Sequence, residues 1–362
     1  MQDAGIDRLI KWVFAQIFCA PAILMPYKIR IFYIQGLSFI FHFPFKVFGR
    51  VAHFILVVLN IEPMVAPVEA AGKRPKTDFS SKKKKGKVAI LFSGGTDSMC
   101  TAALMAQEFA EVHLLTFWES ATKSSPIPKR NIELLRKKFP MTKFVSETIS
   151  VDKLVSHLWY ENYFQNLIKY RFLVLATCGF SSLSWHVRTM VYCQEHKITN
   201  VADGLTRELI HFPGHMDTVV EEFRDMYKKF GINYENPVRN WPTPVDQQFI
   251  DRVVVNQHST DFFLGDKHVA QRKTTGQYLF QLGLLPSPNV KGSRLDFLMQ
   301  HGCYPFTLYN IMAFWGHLSH EPYLVFCHKV NSIMKDKITH AKVLLLEYKE
   351  QPQSSKLANL LK

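Results

Sequence analysis

The sequence predicts an α/β fold, a Rossmann-like parallel sheet with helices on both faces, flanked by an apolar N-terminal segment and a helical C-terminal cap. Three observations carry that expectation. The stretch Lys87–Gln107 runs from a short apolar segment, Val88–Phe92, through Ser93-Gly94-Gly95-Thr96-Asp97-Ser98 into Ala102, Ala103, Leu104 and Met105 at helical spacing, which reads as strand, glycine turn and helix. Short apolar runs then alternate with helix-length periodic segments as far as Ala202. Apolar residues make up 47% of the 362-residue chain and charged residues 20%, so a sizeable core can be buried and wholesale disorder is excluded.

From Leu9 to Ile61 the chain is aromatic and aliphatic but interrupted by Lys11, Pro21, Pro26, Lys28, Arg30, Pro44, Lys46 and Arg50. The uncharged runs Trp12–Tyr27, Ile31–Phe45 and Val51–Ile61 all fall short of the roughly 20 residues that a spanning helix needs. A secretory leader is not expected, because Asp3 and Asp7 break the positive n-region. Three arrangements fit residues 1–62: interfacial helices or a re-entrant hairpin with snorkelling Lys and Arg, one or two true spans with tolerated charges, or a hydrophobic helical subdomain packed on the enzyme or a partner.

Residues 63–86 form a basic linker with the run Lys82–Lys85. Of the net charge of +14, +9 lies before residue 88, as 14 Lys and Arg against five acids. That placement favours an anionic lipid surface over nucleic acid as the partner. With the apolar segment on a membrane, these lysines place the catalytic domain on the cytoplasmic side.

Beyond the first strand–turn–helix, Val112–Phe117 reads as a strand, Lys129–Phe139 as a helix and Lys143–Val151 as a strand. A long helix is expected from Asp152 to about Ala176, another from about Ser184 to His196, and a strand over Ile198–Ala202. An amphipathic helix over Thr218–Phe230 closes the unit, which extends over 87–240. Ligands of such sheets bind outside the carboxyl ends of the strands, where the glycine turn lies. Residues 241–350 are read as a helical C-terminal region, and 351–362 as a frayed tail.

The turn itself suits a phosphate. A helix start presents unpaired N–H groups and the positive end of its dipole, glycines admit close approach, and Ser93 and Ser98 add hydroxyls. No G-x-x-x-x-G-K-[ST] is present, so it is not a Walker A loop. Ser93-Gly94-Gly95-Thr96-Asp97-Ser98 directly after a strand resembles the PP-loop of the N-type ATP pyrophosphatases, whose members include NAD and GMP synthetases, 7-cyano-7-deazaguanine synthase, tRNA thiolation enzymes and sugar amidotransferases. The resemblance covers about residues 87–240. It implies a PP-loop/HUP-type fold, ATP with Mg²⁺, adenylation of a substrate and release of pyrophosphate. It makes Ser93, Gly94, Gly95, Thr96, Asp97 and Ser98 the nucleotide-binding loop, with Asp97 also a catalytic candidate.

Two further strand ends follow from the resemblance. Phe117 and Trp118 are candidate neighbours of the adenine and Glu119 a ribose or substrate contact, although aromatic residues at a strand end also simply pack. Asp203-Gly204, with Glu208 four residues after the glycine, resembles the second signature of several members. Asp203 and Glu208 are the magnesium candidates, Gly204 a nucleotide contact and Arg207 a catalytic clamp for phosphate or substrate. An Asp-Gly turn followed by solvated charges would look the same.

His211, His215 and Asp217 cluster, but Pro213 and Gly214 prevent helical alignment, so metal ligation, substrate positioning and a plain loop all stay open. Arg272-Lys273-Thr274-Thr275-Gly276 reads as a basic return toward the phosphates or as a solvated cluster. The six cysteines show no C-x-x-C pair; Cys178, Cys193 and Cys303 are the ones a thiolation enzyme would need, and serines replace the cysteine pair that thiolating relatives carry upstream of the helix. The chain is therefore read as a membrane-associated, ATP-dependent ligase or transferase of PP-loop type. It would adenylate an acceptor, such as an envelope saccharide or lipid-linked precursor, for amide, amine or sulfur transfer. With no glutaminase nucleophile evident, it implies free ammonia or a partner protein donating ammonia or sulfur. A thiolation enzyme and a non-catalytic nucleotide-binding adaptor are the alternatives.

Overall fold

The computed structural model describes residues 86–119, 127–161, 163–170, 178–207, 212–241, 274–290, 295, 299 and 321–361. The expectations for residues 1–62 and for the linker as far as residue 85, and those on Glu208, His211, Arg272, Lys273 and Cys303, lie outside them. Among the described residues no helix is long and apolar enough to cross a membrane.

In chain order the elements are β1 (Lys87–Leu91), α1 (Thr96–Glu108), β2 (Glu111–Trp118), α2 (Ile127–Lys138), β3 (Lys143–Ser150), α3 (Asp152–Val155), a π-helical turn (Ser156–Tyr160) and α4 (Tyr163–Tyr170). They continue as α5 (Cys178–His196), β4 (Asn200–Asp203), a 3₁₀ turn (Pro213–His215), α6 (Asp217–Lys229), β5 (Asn233–Glu235), α7 (Thr275–Gln281), α8 (Tyr323–Glu350) and α9 (Lys356–Leu361). The strands form one sheet of order β3-β2-β1-β4-β5, and each adjacent pair is parallel. β1 is therefore central, and the chain leaves it toward β2 on one side and returns to β4 on the other.

The strand residues alternate between two cores, as a period of two requires when both faces are covered. Val88, Ile90, Val112 and Leu114 face one core with α1, α2 and α7 residues such as Met99, Ala103, Leu135 and Leu279. Ala89, Leu115 and Val201 face the other, built from α5, α6, α8 and α9 with Val187, Met190, Phe223, Ile338 and Leu357. The α/β architecture with helices on both faces is thus as expected.

Four local differences have physical causes. The long helix expected from Asp152 is divided by the π-helical turn, which keeps His157, Leu158 and Trp159 on the buried side with Leu154 and Val155. Helix α5 begins at Cys178 rather than Ser184, so the serine-rich stretch lies inside it; Ser181, Ser182 and Ser184 are buried there against neighbouring elements. β5 was not expected, because three residues with one buried side chain, Tyr234, carry no periodic signal; pairing with β4 creates it. Residues 351–362, expected as a frayed tail, contain α9, whose Leu357 is wholly buried in the second core.

Leu357→Ala is expected to lower stability by about 2–4 kcal/mol, read as a lower urea midpoint with an unchanged slope. A frayed tail would show no change.

Candidate functional site

The site is built where β1 ends. Thr116 on β2 donates its hydroxyl to Phe92 O at 2.9 Å, and Phe92 N donates to Leu115 O at 2.8 Å, so the chain stays in register with β2 up to the loop. Gly94 then adopts φ +83°, a conformation costly for any residue with a Cβ. Gly95 is the N-cap of α1 and, having no side chain, supplies no cap to its first N–H groups. Helix α1 thus opens with backbone donors and the positive end of its dipole at the carboxyl edge of the sheet.

The hydroxyls organise the turn. Ser93 Oγ lies 3.1 Å from Ser98 Oγ and accepts from Gly95 N at 3.3 Å, and Ser98 Oγ donates to Gly95 O at 3.1 Å. Ser93 is exposed, whereas Ser98 is buried. Thr96 is fully buried and its Oγ1 has no hydrogen-bond partner. Asn131, on α2, donates Nδ2 to Gly94 O at 2.8 Å and holds the strained glycine from the opposite element.

The second motif meets the first directly. A Cβ on Gly204 would lie 2.6 Å from Ser98 N and 2.8 Å from Asp97 C and Ser98 Cα, closer than real Cβ contacts come. Gly204, expected as a nucleotide contact, is thereby the point at which the β4 end packs on the first turn of α1. Thr101 Oγ1 donates to Asp203 O at 3.1 Å and closes the same junction. Asp97 is half-buried, and its Oδ1 accepts from Thr275 Oγ1 at 2.7 Å. Helix α7 packs along α1, with Gln107 Nε2 donating to Tyr278 OH, so residues 274–276 do return to the loop.

Asp203, expected as a magnesium ligand, is 2% exposed, and both its oxygens are engaged by protein donors. Oδ1 accepts from Leu205 N at 3.0 Å and Asn236 Nδ2 at 2.7 Å, and Oδ2 accepts from Tyr234 OH. Burial raises its pKa, against the lowering by these donors and by Arg239. A metal ion would have to displace Tyr234 or Asn236 to reach it. Among the described residues no three His, Cys, Asp or Glu side chains are grouped to hold a metal ion. The half-buried Asp97 is the carboxylate that the loop itself presents, and it is the group that fits the hard-cation chemistry of magnesium alongside phosphate.

The Arg207 side chain is 55% exposed, with Nε 3.4 Å from Asp217 Oδ1. The tighter partner of Asp217 is Arg239, whose Nη2 donates to the same oxygen at 2.7 Å and whose Nη1 donates to Thr206 O at 3.2 Å. His215 Nδ1 lies 3.1 Å from Thr206 O. His215 and Asp217 therefore brace the segment after β4. The two arginines hold the Asp217 carboxyl below its ordinary range despite partial burial.

On the other side of β1, Phe117 stacks on Trp185 of α5 with ring centres 6.4 Å apart and planes within 6°, while Trp118 is 37% exposed. Phe117 thus packs against the second core, and Trp118 is the one with open surface. Glu119 is 3% exposed beside Ser181. Burial pushes its carboxyl up to about 7, with Asp152 adding to the rise and the Ser181 hydrogen bond opposing it. Asn131, Thr275, Tyr234, Asn236 and Arg239 were not anticipated. Only Thr275 stood in a stretch that the sequence singled out; the others lie on elements with no motif of their own.

No family model matches the chain, and no curated protein does. Solved structures that resemble it include a "predicted subunit of tRNA methyltransferase" from Methanocaldococcus jannaschii, at 19% identity over 47% of this chain and 76% of that one, with a TM-score of 0.29. Another is NMN synthetase from Francisella tularensis, at 12% identity over 72% of this chain and 87% of that one, with a TM-score of 0.30. Superposition at such scores is loose, and the functional reading rests on the loop's own geometry.

Gly204→Ala is expected to destabilise by about 1–3 kcal/mol, because the clash is with backbone that cannot rotate away; urea unfolding measures it. Glu119 adds a pH dependence. Its folded carboxyl keeps a proton that the unfolded chain loses from 4.5 upward, so stability falls as pH rises from 4.5 to about 7 and is lower by roughly 3 kcal/mol above that window. Glu119→Gln should flatten that slope in the pH dependence of the unfolding midpoint.

Proposed function

We propose that the chain is an ATP pyrophosphatase of PP-loop type, which adenylates an acceptor and releases pyrophosphate. The observation that carries this reading is the uncapped start of α1, opened by Gly94 and Gly95 at the end of the central strand β1, where the strand order turns from β2 to β4. A parallel sheet places its ligand at such a switch point. Cleavage between the α- and β-phosphates, with pyrophosphate held as a unit, is what the resemblance of Ser93–Ser98 to a PP-loop implies.

In this reading the α1 N–H groups and the exposed Ser93 hydroxyl bind the β- and γ-phosphates, and Ser98, which donates to Gly95 O, positions Ser93 from behind. Asp97, oriented by Thr275, stands beside them. Magnesium bound with the nucleotide supplies neutralisation of phosphate charge. Trp118 offers an open aromatic surface for the base, and the exposed Arg207 a cation for phosphate or acceptor. An acceptor oxygen attacks the α-phosphorus in line, the oxygen bridging to the β-phosphate leaves with pyrophosphate, and an adenylated acceptor forms. Ammonia, an amine or a sulfur nucleophile then displaces AMP. The protein contributes positioning and charge stabilisation rather than covalent chemistry.

Of the cysteines a thiolation enzyme would need, Cys193 is 1% exposed and its thiol is pushed up to about 12 by burial, which makes it a poor sulfur carrier. An envelope saccharide or lipid-linked acceptor, an anionic membrane surface holding residues 1–86 and a cytoplasmic orientation belong to the same proposal. They rest on the apolar and basic character of that segment.

Incubation of detergent-purified protein with Mg²⁺–ATP and a membrane or metabolite extract is expected to yield AMP and pyrophosphate in equal amounts, and Asp97→Ala to abolish both. ADP and phosphate would refute the assignment of the loop. Nucleotide binding without turnover in lipid and soluble extracts alike would favour a non-catalytic adaptor.

A further inference from the structure

Away from the loop, the π-helical turn meets α8 through two imidazoles. His157, on the turn, has a side chain 4% exposed, and its Nε2 lies 3.2 Å from His340 Nε2 on α8. Its Nδ1 lies 2.5 Å from Glu161 Oε2. An ionised carboxylate only accepts, so in the neutral ring Nδ1 carries the hydrogen and Nε2 carries the lone pair, which is directed at His340. His340, exposed on α8, donates its own Nε2–H across the gap when nothing else is bound.

We propose that His157 and His340 form a site for a late first-row divalent cation such as Zn²⁺, which clamps the π-helical turn to α8. The spacing fits the chemistry. Two imidazole nitrogens at 2.0–2.1 Å on a tetrahedral ion are about 3.3 Å apart, close to the observed separation, and on binding the rings turn so that both lone pairs converge on an ion beside the N–N line. The carboxylate of Glu161 behind Nδ1 is the arrangement that fixes the tautomer of a metal-bound histidine and raises its basicity. On binding, His340 moves its hydrogen from Nε2 to Nδ1, so both rings present lone pairs and no net proton is lost. His340 stands at the surface, so the remaining coordination positions are filled by water.

The surroundings limit the affinity without closing the site. Burial lowers the pKa of His340, with His157, Lys337 and Lys356 adding to the fall and Asp336 opposing it. Lys337 is turned away to donate to Leu158 O at 2.8 Å and lies over the Trp159 ring, while Lys356 Nζ is 3.9 Å from Glu161 Oε2. Imidazole pairs select zinc, nickel, copper or cobalt over hard magnesium.

The test titrates Zn²⁺, Co²⁺ and Mg²⁺ into the full-length protein and follows the thermal midpoint, with the visible absorption of Co²⁺ as a direct reading of nitrogen ligation. Zn²⁺ should raise the midpoint saturably and Mg²⁺ leave it unchanged. His340→Gln, at an exposed position and still able to donate to His157, should keep the metal-free midpoint and lose the Zn²⁺ response. Glu161→Gln should weaken binding roughly 10–100-fold. No saturable response in the wild type, or an equal response in His340→Gln, overturns the proposal.

Discussion

Everything about the loop depends on one close approach, that of Gly204 to the backbone of Asp97 and Ser98. β4 joins β1 by parallel pairing, Ala89 to Val201 through Leu91 to Asp203, and the next residue lands on the first turn of α1. Because there is no Cβ, the end of β4 and the start of α1 share the space that a side chain would fill. Thr101 adds its bond to Asp203 O at the same point. The two sides of the switch point are thereby locked together, and the α1 N–H groups keep their direction without a side-chain cap.

That junction is supported by buried polar groups. Asp203 binds Tyr234, Asn236 and Leu205 N, and Arg239 ties Thr206 to Asp217, so the segment after β4 is held to β5 and to the start of α6. Each such group loses water on folding, and leaving one unpaired costs on the order of 1–3 kcal/mol. The network therefore specifies a single arrangement of the segment. Asn131 does the same from α2 for Gly94, and Thr275 from α7 for Asp97. The loop Ser93–Ser98 is in this way braced by residues from three distant parts of the chain.

Helix α8 plays a comparable part on the opposite face of the sheet. Its Ile333, Met334, Ile338 and Leu345 fill the second core, while Asn331 and Lys342 meet Thr218 and Glu222 of α6. Lys337 and His340 meet the π-helical turn. The sheet is thus clasped along its second face by an element more than 80 residues beyond β5, the last of the described strands. The candidate cation site lies on that clasp, well separated in the chain from the loop's chemistry.

The sequence by itself determined the strand–loop–helix unit, the alternation of elements that makes a parallel sheet, and the residues of the loop, because those signals are local: apolar period, glycine at a turn, serine and aspartate at a helix start. Boundaries at Lys143, His196 and the amphipathic α6 followed for the same reason. Tertiary structure alone decided which residues brace the site. Asn131, Tyr234, Asn236 and Arg239 act through partners 22 to 37 positions away, and Thr275 through one 178 positions away, and no local pattern encodes a pairing at such a distance. It also decided that Gly204 is needed for backbone packing, that Asp203 is enclosed by protein donors, and that residues 356–361 form a helix. In each case the cause is burial against a surface that exists only once the sheet and its two layers have assembled.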